Sequence, residues 1–456
     1  MHRSEKLSLR TKLLYSTGDL STSIPLAILM FFQLYFLTDV AHLRPDLAGW
    51  AVGIGKIWDA VNDPLCGLIS DRIGGRIRAR WGRRRVFLLF GAVPLGLTFM
   101  LMWIVPPFGP TGLTIYYALT FILFDTAFTF VHVAYNSLTS ELTSDYDEQS
   151  SLNGYRMAFS ISGTLGAIIF ATVLGWYVTD PQLIFGIIAV ALGLATMAPP
   201  FLVYKVAWER AAEGQSPPLP WRQAITTTLR NRPFWMVMGL YLFSWTTASI
   251  IAADLVYFAS YHLRVPEQSN YFVLAAEGAA IMFIPLWVWV AHRLDKRRAF
   301  ILGTAPWIVV LLLLSFIRSD QAALAYVLAI LSGSGIATAY VIPWAMMPDV
   351  IEHDQLQTGQ RREGSYYAFA SFFQKLGTGV VVWAMGQMLF RTGYITPTDA
   401  IPVPHQPPQA IQAIRWFIGP IPIALLIISI IFAWFYPITR EAHASMREQL
   451  AARGDE

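Results

Sequence analysis

Twelve stretches of mostly apolar residues, each near the length that an α-helix needs to cross a bilayer (about 20 residues), limit what this chain can fold into. They fall near 14–40, 46–70, 86–106, 112–138, 154–178, 183–205, 234–262, 270–291, 299–317, 321–347, 366–390 and 412–436. Only 14% of the 456 residues are charged and 55% are hydrophobic, whereas soluble domains carry roughly a quarter charged residues. No polar stretch is long enough to surface a soluble domain. The sequence therefore predicts an all-α, multi-pass protein with the lipid bilayer as its solvent. The first run is too long for a signal-peptide core and lacks a small-residue cleavage site, so it is expected to persist as the first span. The single cysteine, Cys66, excludes an internal disulfide and a cysteine metal cluster.

Basic residues orient the bundle. The segment Asp71 to Arg85 contains seven arginines, and Arg293, Lys296, Arg297 and Arg298 follow the eighth run, while PPFGPTG between the third and fourth runs has neither Lys nor Arg. The positive-inside rule places both termini and the 71–85 segment in the cytoplasm of a cell-membrane protein. Squeezed between two spans, these arginines read as a topology determinant and conformational latch rather than a nucleic-acid patch, and no nucleic-acid partner is expected. Asp71, Arg72, Arg83, Arg84 and Arg85 are the candidate cytoplasmic gate, with Glu141, Asp145, Asp349 and Glu352 as acids to pair with the basic residues. The longest cytoplasmic connection, 206–232, is rich in charge and contains SPPLP. It divides the spans six and six, giving an N-terminal half at 1–205 and a C-terminal half at 233–456.

The halves resemble each other. RRRVFLLFGAVP from Arg83 matches DKRRAFILGTAP from Asp295 without gaps, and PLCGLISDR from Pro64 matches PLWVWVAHR from Pro285. Later, HVAYNSLTSEL and GYRMAF run parallel to VIPWAMMPDV and SYYAF. Two six-helix repeats in one orientation are a transporter architecture in which solute and ion bind near the midplane.

Charges inside the membrane are costly and default to function. Asp59 and Asp63 are spaced i, i+4 on one helix face, where two carboxylates repel unless a cation joins them. Asn62 offers an amide oxygen beside them, and Pro64 weakens the helix hydrogen bonding before it. Asp125, Thr129 and His132 recur at i, i+4 and i+7 on the fourth run. Lys375 is central in the eleventh run and needs a carboxylate or water; the acids of the second run are candidate partners. Arg156 begins the fifth, placed to bind an anionic group of a solute or to pair with Asp125. Glu352, His353 and Asp354 imitate a metal cluster, but consecutive residues point apart and the segment reads as a loop. No P-loop and no nucleophile–base pair stands out, so neither ATP-driven transport nor an enzyme is indicated.

The motifs TDVAHL, WDAVNDPLCGLISDR, WGRRRVFLLFG, HVAYNSL, ELTSDYDEQSSLNGYRM, PWAMMPDVIEHD and TGQRREGSYYAF run through nearly the whole chain. In them the chain resembles the glycoside–pentoside–hexuronide:cation symporter family of the major facilitator superfamily. The resemblance implies the major facilitator fold, with twelve helices in two pseudo-symmetric halves, and alternating access. It implies a cation site, for Na+ or H+, at Asp59, Asn62, Asp63 and Thr129, the two aspartates being the Na+ ligands, with Lys375 beside it in coupling. No cofactor is implied. Members that carry galactosides place carboxylates where this chain has Ser23 and His132, so the solute site at Ser23, Asp125, His132 and Arg156 is altered. The expected cargo is a sugar, glycoside, uronide or similar small organic solute together with a monovalent cation, carried by a monomer. Within transport the alternative is a lysophospholipid or other amphipathic solute, since the acid–histidine pair is similar to the branch that carries those. A receptor or scaffold that has lost transport is the alternative from another class.

The orientation is testable with cysteine labelling. With Cys66→Ser as background, Arg78→Cys should resist a membrane-impermeant thiol reagent on intact cells and react in inverted vesicles; labelling from outside rejects the assignment.

Overall fold

The computed structural model describes residues 6–72, 80–143, 145–209, 228, 230–358, 363–398, 400–401 and 403–454. Among these residues the fold is helical, apart from an isolated bridge between Thr398 and Ile401. The first run comprises α1 (Leu9–Ser16), a 3-10 turn (Thr17–Asp19) and α2 (Leu20–Tyr35). There follow α3 (Pro45–Arg72), α4 (Arg85–Leu101), α5 (Pro110–Leu142), α6 (Tyr146–Tyr177) and α7 (Pro181–Val206). Beyond the linker come α8 (Arg232–Tyr257), α9 (Ser269–Arg293), α10 (Lys296–Phe316), α11 (Ala322–Thr358) and α12 (Glu363–Arg391). The last run is divided into α13 (Pro408–Ile418) and α14 (Pro420–Trp434), and α15 (Arg440–Gly454) ends the chain. All twelve apolar runs thus fall in helices. Among the described residues, nine stretches are long and apolar enough to cross a membrane. α3 and α12 reach that length with more polar sequences, and α4 is shorter.

Two elements differ from the sequence reading. α11 continues through Pro343 and Pro348 to Thr358, so Glu352, His353 and Asp354 lie on a helix rather than in a loop. That polar end is covered by α15, whose His443 Nε2 stands 2.8 Å from Glu352 Oε2 and 3.4 Å from Asp349 Oδ1. The twelfth run starts early, at Pro408, and breaks at Gly419, where Pro420 has no N–H to continue the helix.

The internal repeat is visible in the backbone. The first run ends in a π turn, Phe36–Val40, and so does α8, in Phe258–His262. The closing bonds correspond: Ala41 N–H donates to Phe36 O and Leu43 N–H to Leu37 O, as Leu263 N–H does to Phe258 O and Val265 N–H to Ala259 O. The intervening residues, His42 (φ 54°) and Arg264 (φ 60°), are left-handed in both, a conformation uncommon outside glycine. The matched arginine motifs also open helices alike. Glu209 caps α4, accepting the backbone N–H groups of Arg83, Arg84 and Arg85 at 2.7–2.8 Å. Asp295 caps α10 through the N–H of Arg297 at 3.0 Å.

The chain forms two compact units. One comprises Met1–Gln215 with Val382–His405, the other Ser216–Val381 with Gln406–Glu456. In the first unit, the C-terminal end of α12 packs on α3 and on the turn before it. Trp383 meets Trp50 with ring centroids 5.6 Å apart, and Tyr394 Oη donates to Asp39 at 2.9 Å. The second unit has a continuous apolar core from α8, α9, α10, α11, α12 and α14, centred on Phe234, Tyr241, Phe300, Ile342 and Tyr366.

Candidate functional site

α3 and α5 lie side by side in the first unit and run parallel, so their side chains meet in ascending order. Gly55 makes the approach possible, since a methyl group there would enter the Phe121 ring. Trp58 Nε1 then donates to Thr126 Oγ1 at 2.9 Å, Asn62 Nδ2 to Asp125 Oδ2 at 3.2 Å, and Thr129 Oγ1 to Asp63 Oδ1 at 3.1 Å. Asp59, Asn62, Asp125 and Thr129 are all at least 96% enclosed, and Asp63 is half-buried. The structure thus joins Asp63 to Thr129 and Asn62 to Asp125, while the contact of Asp59 is with Lys56. The donor set is hard oxygen from carboxylates and a hydroxyl, which suits an alkali cation and not a soft metal. The Asn62 amide has a defined orientation. Its NH2 faces the Asp125 carboxylate, so its Oδ1 is the atom 3.1 Å from Cys66 Sγ. Lys56 Nζ stands 3.5 Å from Asp59 Oδ2 and over the Phe121 ring; the sequence reading had not singled it out.

A second cluster joins the first run, α5 and α6. Arg156 Nε and Nη2 grip Asp19 at 2.9 and 3.2 Å, Nη1 donates to Thr139 Oγ1 at 2.8 Å, and Nη2 also to Asn136 Oδ1 at 2.6 Å. The guanidinium lies 4.5 Å over the Tyr135 ring, whose hydroxyl donates to Asp19 Oδ2 at 2.6 Å. Tyr15 Oη completes the cluster on Tyr135 O and Thr139 Oγ1. The partner of Arg156 is therefore Asp19, an acid absent from the sequence-level candidates. His132 enters through Asn136, with Nδ2 and Nε2 2.8 Å apart, and stacks on Phe128. Because Arg156 only donates, Asn136 turns Oδ1 to it and Nδ2 to the imidazole. His132 Nε2 must then accept, and the ring hydrogen resides on Nδ1. Ser23 is buried on α2 against α6, where Gly163 leaves no room for a methyl beside Ser23 Oγ.

With the geometry in hand, comparison with known proteins decides the family. The MFS/sugar transport protein profile matches residues 14–440. The chain belongs to this family of the major facilitator superfamily. An uncharacterised symporter of Synechocystis is 34% identical to it, over 99% of this chain and 98% of that one. The zebrafish sodium-dependent lysophosphatidylcholine symporter 1-A is 25% identical over 98% of this chain and 89% of its own. Among solved structures, a D-xylose–proton symporter covers 94% of this chain and 98% of its own at 15% identity with a TM-score of 0.66. A bacterial homologue of the lysosomal transporter Spinster covers 96% of each at 11% identity, also with a TM-score of 0.66. The expected major facilitator fold is borne out, and the protein is a multi-pass membrane transporter that couples solute to cation.

In this transporter the predicted gate arginines are partly paired within the first unit. Arg84 Nη1 bonds Glu141 Oε1 at 2.7 Å and Ser137 O at 2.8 Å, Arg83 lies 3.6 Å from the same carboxylate, and Arg85 donates to Tyr204 O. The side chains of Asp71 and Arg72 lie outside the described residues. In the second unit Lys296 holds Asp349 at 2.7 Å, the counterpart of Arg84 and Glu141. Lys375 is half-buried on α12, in the second unit.

Removing one side of a buried ion pair costs about 3 kcal/mol or more because the other charge is stranded. Asp19→Asn should therefore lower the thermal stability of the purified transporter markedly, and Asp19→Asn with Arg156→Gln should cost less than the two single losses added. Strict additivity would show that the pair is not coupled.

Proposed function

We propose that this transporter is a sodium-coupled symporter of a charge-bearing organic solute. The single observation that supports this most is the oxygen cluster between α3 and α5, in which Thr129 bonds Asp63 and Asn62 bonds Asp125, with Asp59 one turn before Asp63 on α3. Asp59, Asn62, Asp63 and Thr129 are the cation ligands and Lys375 the coupling cation that replaces or neighbours the ion. The names of the zebrafish and Synechocystis relatives favour symport, and the former favours sodium. The solute occupies the polar surface of Ser23, Asp125, His132 and Arg156. Arg156 brings a positive charge to this site, which suits acceptor-rich or anionic groups: an anionic glycoside, a uronide or a zwitterionic amphiphile. A lysophospholipid is the second reading, favoured by the full-length similarity to the lysophosphatidylcholine symporter. The working unit is a monomer of two six-helix halves, 1–205 and 233–456, with both termini cytoplasmic. It alternates access as the arginines of the 71–85 segment engage and release their acids.

An ion that binds only the folded state stabilises it by RT ln(1 + [L]/Kd), about 2.7 kcal/mol at a hundredfold excess over Kd. Sodium should raise the melting temperature of the purified protein, potassium should not, and Asp63→Asn should abolish the shift. A wild-type melting temperature indifferent to sodium, lithium and pH would reject cation coupling.

The solute assignment has its own test in direct binding to purified protein. Melibiose should bind negligibly, and a glucuronide or lysophosphatidylcholine should bind in a manner that His132→Ala weakens. Tight, sodium-dependent melibiose binding that His132→Ala leaves intact would overturn the solute class and the role of His132.

A further inference from the structure

Asp19, Asp59 and Glu141 of the first unit have basic partners, Arg156, Lys56 and Arg84. Among the described residues, two enclosed acids on α8 and α9 of the second unit, Asp254 and Glu277, have none. Asp254 on α8 is fully enclosed, and neither oxygen has a hydrogen-bond partner among the described residues. Glu277 on α9 is 5% exposed, and its one partner is a phenol: Tyr340 of α11 donates from Oη to Oε1 at 3.2 Å. An ionised carboxylate enclosed without a countercharge is costly, whereas the neutral acid is tolerated once hydrogen-bonded.

Glu277 has what Asp254 lacks among the described residues, a hydroxyl partner. Tyr340 is partly exposed, and its ring packs on that of half-buried Trp245, centroids 5.4 Å apart. A phenolic hydroxyl both donates and accepts, so Tyr340 can pass a proton to and from the carboxyl. The spacing is set by the backbone. Two turns before Tyr340, Gly333 brings α11 against Ala276, Ala279 and Ala280 of α9, and a methyl there would strike the α9 backbone. The surroundings supply no competing base. α10 has no titratable side chain from Ala299 to Phe316, and α9 has none other than Glu277 between Tyr271 and His292. α8 presents Tyr241, beside Trp245, and the separate acid Asp254.

We propose that Glu277, with Tyr340 as its relay, is a proton-binding site in the second unit, distinct from the oxygen cluster on α3 and α5. While ionised, Glu277 accepts from Tyr340 at Oε1; when protonated, the carboxyl turns its O–H to the phenol oxygen, and the proton leaves as the phenol takes it and releases its own hydrogen on the far side. The inference rests on the symport reading and adds a second coupling ion to it.

Infrared difference spectra of the purified full-length protein between mildly acidic and mildly alkaline pH test this without any solute. The wild type should show the carbonyl stretch of a protonated carboxylic acid that vanishes as pH rises. Glu277→Gln, which preserves an acceptor for Tyr340, should lose that band and keep both the wild-type melting temperature and its sodium-dependent shift. Tyr340→Phe should keep the band but move its frequency, and Asp254→Asn should leave it in place. Identical spectra for wild type and Glu277→Gln overturn the proposal. So does an unmoved band in Tyr340→Phe, which stands as the test if Glu277→Gln does not fold. Absence of the sodium shift from the wild type speaks against the sodium site and leaves the Glu277 band to be judged on its own.

Discussion

A guanidinium carried into a membrane-spanning bundle must find hydrogen-bond acceptors and a compensating charge, or the helix that bears it does not settle there. Arg156 meets both demands by drawing Asp19, Asn136 and Thr139 around itself and laying its flat face on Tyr135. Three runs distant in sequence are thereby held in one register. Such a pair adds little net stability over a well-packed apolar alternative. Its contribution is to fix which faces of the first run, α5 and α6 point inward. Ser23, His132 and, one helix further, the oxygen cluster on α3 take their positions from that choice.

The two halves solve a shared problem with different residues. In each, the helix that follows the basic segment is capped at its N-terminus by an acid, Glu209 or Asp295, and a basic side chain reaches an acid on the fourth span of its half. The first unit uses a planar arginine and the second Lys296, each of which also donates to a backbone carbonyl, and in the second His443 of α15 shares the acid. The equal π turns after the first and seventh runs show the same ancestry in backbone alone, where the side chains have diverged.

Much of the fold was legible because span length and apolar composition are dictated by bilayer thickness, and every predicted run is helical. The ends were less so: α11 outlasts its apolar stretch because a neighbouring helix covers the polar continuation. Helical spacing put Asp59 with Asp63 and Asp125 with Thr129 on single faces, but that Thr129 meets Asp63 was implied by the family resemblance, and that Asn62 meets Asp125 was seen only in the structure. Asp19 was not legible, since an acid near the start of a span looks like any residue at the bilayer rim, and only the return of Arg156 from another helix reveals it. Lys56, well inside the second run, carried the same signal as Lys375 and was passed over. Asp254 and Glu277 carried a signal that could have been used, because the rule that flagged Lys375 applies equally to an acid in AADLVY or AAEGAA. What no spacing rule supplies is the phenol from α11 that distinguishes one of them.

The Asn136 side chain has a consequence of its own. An amide has two unlike ends, and here each is spoken for: the carbonyl by Arg156, the amino group by His132. If the imidazole takes up a second proton, its Nε2 becomes a donor and faces another donor. The amide can answer only by turning over, and its amino group then confronts the guanidinium, which has no lone pair to offer. One side-chain rotation thus forbids two arrangements at once, and the charge of the ring is reported, as a lost acceptor, at an arginine it never touches.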